Sequence, residues 1–195
     1  MKQLFTLLLL FGILVAGSAQ KEETVFNTYG GINLTGVWAG SYSSLADFKN
    51  DYNISNRGAI AFEFNKDFLI GWAGYKDDLT SAGNDVKLSG NDLFLGYVPN
   101  SHKVFHPLIY LQAGSGKLQI EDLGSDRLLV IQPSIGGEVN IARWFRLGLD
   151  AGYRFYSGVN LNGISNSDLA GPTLGIRMKF GWSWGDRHRT DDWED

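Results

Sequence analysis

Residues 128–155 read LLVIQPSIGGEVNIARWFRLGLDAGYRF, and this stretch decides the fold. Leu129, Ile131, Pro133, Ile135 and Val139, then Phe145, Leu147, Leu149, Ala151, Tyr153 and Phe155, occupy one parity. Gln132, Ser134, Glu138 and Asn140, then Arg146, Asp150 and Arg154, occupy the other. A period of two marks β-strands, whose successive side chains point to opposite faces. Ile141-Ala142-Arg143 reads as a three-residue turn, which pairs Val139 with Phe145, Ile135 with Leu149 and Leu129 with Phe155. That register keeps both apolar sets on one face and sets Glu138 opposite Arg146. The turn Asn65-Lys66-Asp67 obeys the same arithmetic, pairing Phe62 with Ile70 and Ile60 with Trp72.

Six more segments alternate in the same way, at about 32–42, 57–64, 68–76, 90–98, 105–114 and 170–180. In the first, Ile32, Leu34, Trp38 and Tyr42 share the apolar parity; in the last, Leu174, Ile176, Met178 and Phe180 do. Each segment is near the 9–11 residues of a tilted membrane-spanning strand. The connections alternate too. Residues 65–67, 99–104 and 141–143 are short, whereas 43–55, 77–89, 115–127 and 157–168 are longer, polar and loop-like. Short turns at one end and long loops at the other are the pattern of an outer-membrane barrel.

A soluble barrel would use the same alternation with its apolar side chains inside. Three features favour the reverse. Charges on the polar parity nearly balance, with Arg57, Arg146, Arg154, Arg177 and Lys179 against Glu63, Asp92, Glu138 and Asp150. Gly136, Gly148, Gly152 and Gly175 share that parity, as a cramped interior needs. Aromatics of the apolar parity, among them Trp38, Tyr42, Phe64, Phe68, Phe145, Phe155 and Phe180, gather near strand ends where interfacial girdles belong. The expected fold is all-β: an eight-stranded antiparallel up-and-down transmembrane β-barrel with a polar, side-chain-filled interior.

Composition agrees with that class. The chain has 195 residues, 25 of them Gly, and 13% are aromatic, a mixture suited to short strands and tight turns. A net charge of −4 argues against nucleic-acid binding, and the absence of Cys excludes disulfides, thiolate metal sites and a lipidated N-terminal Cys. Lys2, the apolar run from Leu4 to Ala16 and the small residues Gly17-Ser18-Ala19 match a cleavable signal peptide spanning 1–19. The barrel then occupies 20–182 and an acidic periplasmic tail 183–195.

Several stretches together carry a family likeness: the signal ending Gly17-Ser18-Ala19-Gln20, Tyr29-Gly30-Gly31, Arg143-Trp144-Phe145-Arg146-Leu147, the run 153–159, Asn166-Ser167-Asp168-Leu169, and the final 174–180 strand. In these the chain resembles the small outer-membrane β-barrel proteins of Bacteroidetes-type bacteria, within the broad OmpA/OmpX-like class. The resemblance implies residence in the outer membrane as a monomer. It also implies that Leu174, Ile176, Met178 and Phe180 form the C-terminal signal read by the barrel assembly machinery. The tail beyond Phe180 departs from relatives that end at the aromatic, so Phe180 and Trp182 both stand as the signal's last residue.

An eight-stranded barrel is just wide enough for its own side chains to fill it. Arg57, Glu63, Glu138, Arg146, Asp150, Arg154, Arg177 and Lys179 are therefore expected to form an interior charge network. A structural plug is the first reading of that network, and a narrow ion path the second. Catalysis is not expected, with neither a cofactor nor a metal. His102, His106 and His188 fall at the short-turn or terminal side, away from the loop serines Ser43, Ser44, Ser165 and Ser167 that a lipid A-modifying barrel enzyme would pair with them. The expected partners are outer-membrane lipid and lipopolysaccharide. Asp47, Asp51, Asp77, Asp78, Asp85, Glu121, Asp122 and Asp126 sit in the presumed outer loops, where carboxylates bridge lipid phosphates through divalent cations or are simply solvated.

Overall fold

A computed structural model of the chain describes residues 32–48, 51–81, 84–120, 124–159 and 165–184. The stretch 1–19 expected to be a signal peptide, most of the stretch 183–195 expected to be an acidic tail (His188 included), Glu121 and Asp122 lie outside these residues. Eight strands follow in order: β1 (Leu34–Phe48), β2 (Asp51–Phe64), β3 (Phe68–Ser81), β4 (Asn84–Tyr97), β5 (Phe105–Ile120), β6 (Gly124–Ala142), β7 (Phe145–Ser157) and β8 (Gly171–Ser183). A four-residue helix, α1 (Asn166–Leu169), sits between β7 and β8. Each strand pairs antiparallel with the next, and β1 pairs with β8, so the sheet closes into a barrel with no free edge.

The charged parity points inward. Arg57, Glu63, Asp92, Glu138, Arg146, Asp150, Arg154, Arg177 and Lys179 are all buried, while Ile60, Phe62, Leu95, Ile135, Leu149 and Ile176 are exposed on the outer wall. The soluble alternative required the opposite. Glycine makes room where the lumen is tightest: a Cβ on Gly175 would lie 2.2 Å from the Tyr42 ring.

Four sequence expectations need correction. The register at the Asn65–Asp67 turn is as expected, with Phe62 opposite Ile70 and Ile60 opposite Trp72. At the second turn, however, Val139 faces Leu147, Ile135 faces Ala151, Leu129 faces Ser157 and Asn140 faces Arg146. A bulge between Asn140 and Ala142 shortens that turn and slides β7 by two residues. An even slide keeps every side chain on its face, which is why the alternation survives while Glu138 and Arg146 are no longer directly opposed.

Trp38 and Tyr42 are the second correction, for both are buried in the lumen and belong to no outer girdle. The pairing of β1 with β2 shifts between Leu34 and Gly36, and Thr35 and Gly36 are both buried, so the bulge exchanges the two faces of the strand. Third, three of the four long loops, 43–55, 77–89 and 115–127, are largely strand. β3 and β4 stay paired out to Ser81 and Asn84, and β5 and β6 out to Ile120 and Gly124. Fourth, the interior is polar only in part. One apolar cluster (Trp38, Leu69, Phe94, Val98, Leu108, Tyr110) lies toward the short turns, and another (Tyr75, Val86, Leu88, Leu118, Ile120, Leu128, Val130, Val159, Leu169) fills the extended end.

The register makes a direct test possible because the chain has no native Cys. Cysteines at Val139 and Leu147 face each other across the ladder and cross-link on mild oxidation, whereas cysteines at Val139 and Phe145 do so far more slowly. Gel mobility with and without reductant reads the outcome.

Candidate functional site

The lumen is built as a stack of ion pairs, each supported by a neighbouring aromatic or amide. Nearest the short turns, Glu63 is the hub. Its carboxylate accepts hydrogen bonds from Trp38 Nε1 at 3.1 Å, from Thr35 Oγ1 at 3.4 Å and from the Ser183 hydroxyl, and Arg146 Nη1 lies 3.2 Å away. The Arg146 guanidinium also stacks on Trp38, 4.0 Å from the ring centre. The bulge in β1 thus has a role: it turns Trp38 inward to meet both partners.

Glu138 is the second hub. Lys179 Nζ lies 2.6 Å from one of its oxygens; His106 Nε2 at 3.0 Å and Arg146 Nη1 at 3.8 Å approach the other. His106 Nδ1 faces the Lys103 carbonyl at 3.1 Å, so both ring nitrogens are engaged. Further along, Arg177 Nε donates to Asp150 Oδ2 at 2.7 Å and the guanidinium is clamped between Tyr42 and Tyr110, at 4.0 and 4.1 Å. Tyr42 itself donates to Asp150 at 3.2 Å.

Toward the extended end the pattern loosens. Arg57 pairs with Asp92 at 3.2 Å. Arg154 has neutral partners instead: Gln132 Oε1 at 2.7 Å, Ser44 Oγ at 3.0 Å and Tyr156 Oη at 3.5 Å. Asp77, which the sequence placed in an outer loop, is buried and accepts from Ser55 Oγ at 2.6 Å and Asn56 N at 3.0 Å. With Asp77 included, the described lumen holds five basic side chains and five carboxylates besides His106.

The structure therefore brings together Glu63, Glu138, Arg146 and Lys179 in one cluster and Asp150 with Arg177 in a second. Arg57 and Arg154 lie nearer the extended end with other partners. Leu174, Ile176, Met178 and Phe180 are outward on β8, with Trp182 beyond them. Phe180 stacks on Phe145 at 4.8 Å and Trp144 at 6.1 Å, forming an aromatic cluster at the short-turn rim. His106 and Asp77 were the residues sequence reasoning missed. His106 lies directly across from Glu138 on the paired strands, a relation the parity of β5 contains once the register is known.

Between the clusters a cavity of about 30 Å3 touches Arg57 and Gln112, room for about one water molecule. The loop serines are engaged without a histidine: Ser43 donates to Asn56 at 2.7 Å, Ser44 takes Arg154, and Ser165 and Ser167 bond each other at 2.8 Å.

No protein-family model matches the chain, and no curated protein matches it either. Solved structures do. Neisserial surface protein A, NspA, is similar over 77% of this chain and 98% of its own, at 16% identity and a TM-score of 0.54. Ail, the attachment invasion locus protein of Yersinia pestis, aligns over 76% and 97% at 16% identity, with a TM-score of 0.47 in its complex with the heparin analogue sucrose octasulfate. The first likeness establishes the fold: a closed eight-stranded antiparallel barrel of the kind found in outer-membrane barrel structures.

Removing one member of a buried ionic cluster leaves the others uncompensated, at a cost of about 3–5 kcal/mol. Glu138→Ala is expected to lose about that much in urea unfolding from detergent. Adding Lys179→Met recovers part of the loss, because the stranded ammonium disappears with its partner. Additive losses in the double variant would contradict the cluster.

Proposed function

We propose that this chain is an outer-membrane barrel that serves a non-enzymatic role at the cell surface, held in lipid by its outer wall and presenting its extended hairpins outside. One observation carries the reading. Along the apolar belt, from Phe105 to Ala113 on β5, Leu129 to Val139 on β6, Phe145 to Phe155 on β7 and Leu174 to Trp182 on β8, no outward position holds an Asp, Glu, His, Lys or Arg. A charge on the lipid face near the midplane costs about 2–4 kcal/mol, so a belt of this kind is what lipid selects. In water the same surface would be a large exposed apolar patch, far beyond what soluble monomers tolerate.

The same belt supports residence in the outer membrane, as do the signal-like residues 1–19 of the sequence. The outward, aromatic-ended β8 supports a role for Leu174, Ile176, Met178 and Phe180 as the signal for the barrel assembly machinery. NspA, a surface protein of the same fold, supports a surface role without specifying a ligand. The paired lumen favours a plug over the narrow channel, since every ionic hub would have to be dismantled to open a path. Membership among the small barrels of Bacteroidetes-type bacteria rests on the sequence likeness alone.

Refolding into lipid vesicles tests the reading. The folded protein is expected to migrate anomalously on gels until boiled and to give no stable conductance steps in planar bilayers. Leu149→Arg, near the middle of β7, is expected to lower stability in vesicles by about 2–4 kcal/mol, whereas Ser125→Arg, outward but beyond the belt, changes it by less than about 0.5 kcal/mol. Equal effects at the two sites, or a water-soluble monomer, would overturn it.

A further inference from the structure

The alternation reverses along single strands. On β5, Ile109, Leu111 and Ala113 point out while Tyr110 and Gln112 point in; a few residues later Leu118 and Ile120 point in while Lys117 and Gln119 point out. On β6 the same change falls between outward Leu129 and outward Arg127. Beyond that level the barrel is built like a soluble one. The level is therefore where an apolar surround gives way to water.

At that boundary lies a rung of basic side chains. Lys76 faces Ser89, Ser89 faces Lys117, and Lys117 faces Arg127, so one line crosses β3, β4, β5 and β6. All three basic residues are outward and exposed. None of them has an ion-pair partner among the described residues. Directly opposed like charges on an antiparallel pair have Cβ atoms about 5 Å apart and destabilise it, so Lys117 opposite Arg127 has no structural advantage.

A depression of about 730 Å3 opens beside this pair. Ser115, Lys117, Arg127 and Leu129 line it, and Tyr75 reaches it where Gly90 and Gly116 thin the wall. A Cβ at either glycine would come within 2.6 Å of the Tyr75 hydroxyl oxygen, which is buried and has no hydrogen-bond partner. Cations above and apolar Leu129 below describe a site for an amphiphile with an anionic head.

We infer that Lys117 and Arg127 bind the phosphate of a phosphorylated glycolipid in the outer leaflet, with its acyl chains running down the belt past Leu129. The inference rests on the membrane reading above. An Arg guanidinium grips phosphate through two parallel hydrogen bonds and a Lys adds a point charge, so bound phosphate converts a repulsive pair into a bridged one.

The test uses the full-length mature protein, reconstituted in lipid nanodiscs and probed with lipid A and with dephosphorylated lipid A by native mass spectrometry. The wild type is expected to prefer the phosphorylated form by about tenfold, the equivalent of one charge-assisted contact. K117Q/R127Q is expected to lose that preference, whereas K103Q/R143Q, which removes the same charge from exposed positions at the short-turn rim, keeps it. In detergent without phospholipid, K117Q/R127Q is expected to melt no lower than wild type, because it relieves repulsion; a purely structural pair would melt lower and overturn the proposal. An unchanged preference in K117Q/R127Q overturns it as well, as does full competition by inorganic phosphate, which would mark a soluble-anion site. Wild type that fails to enter the bilayer at all refutes the membrane reading, a result separate from insertion without lipid preference.

Discussion

Charge is excluded from the outer wall of the belt, and nearly everything else in the molecule is arranged around that exclusion. A side chain that cannot face outward must face the lumen, and eight strands leave no room there for bulk water. Basic and acidic groups are consequently forced together in a narrow space, where each needs a partner at hydrogen-bonding distance. Glu63 and Glu138 meet this demand by serving several donors at once. Arg146 and Arg177 meet it by adding aromatic faces to their carboxylates. Arg154 meets it with amide and hydroxyl groups alone.

The same exclusion explains the change of character along the hairpins. Inside the belt the lumen carries the polar groups; beyond it, Val86, Leu88, Leu118, Ile120, Leu128 and Val130 make an ordinary apolar core. Val159 and Leu169 join this cluster from the segment after β7, which the Asn166 side chain ties back by accepting from Val159 N at 3.0 Å. Two architectures are thus stacked in one wall, and the strands run unbroken through both.

Much of this was legible in the sequence because a period of two over about ten residues survives small errors of register. The β6–β7 alternation fixed which residues share a face even though the turn bulge moved their partners by two. The bulge at Thr35 and Gly36 was invisible, since no turn residue announces it, and it misplaced Trp38 and Tyr42. The extended hairpins were hidden for another reason. Once the outer surface carries Lys76, Ser89, Asn91 and Lys117 in place of large apolar groups, the outward set looks like loop, and the weaker inward set is easily missed. Asp77 was misread on that account, two residues from the inward Tyr75.

The seam between the first and last strands has its own consequence. Val37 pairs with Trp182 and Tyr42 with Arg177, residues at opposite ends of the barrel sequence, and the Trp184 amide donates to the Thr35 carbonyl at 2.7 Å. Until the eighth strand is in place, the first has nothing to pair with on that side, and Glu63 still lacks the Ser183 hydroxyl. Cylinder closure needs both ends of the barrel sequence, so an interval precedes it in which two sheet edges stand open. Any cell making this chain must shield those edges from premature association throughout that interval.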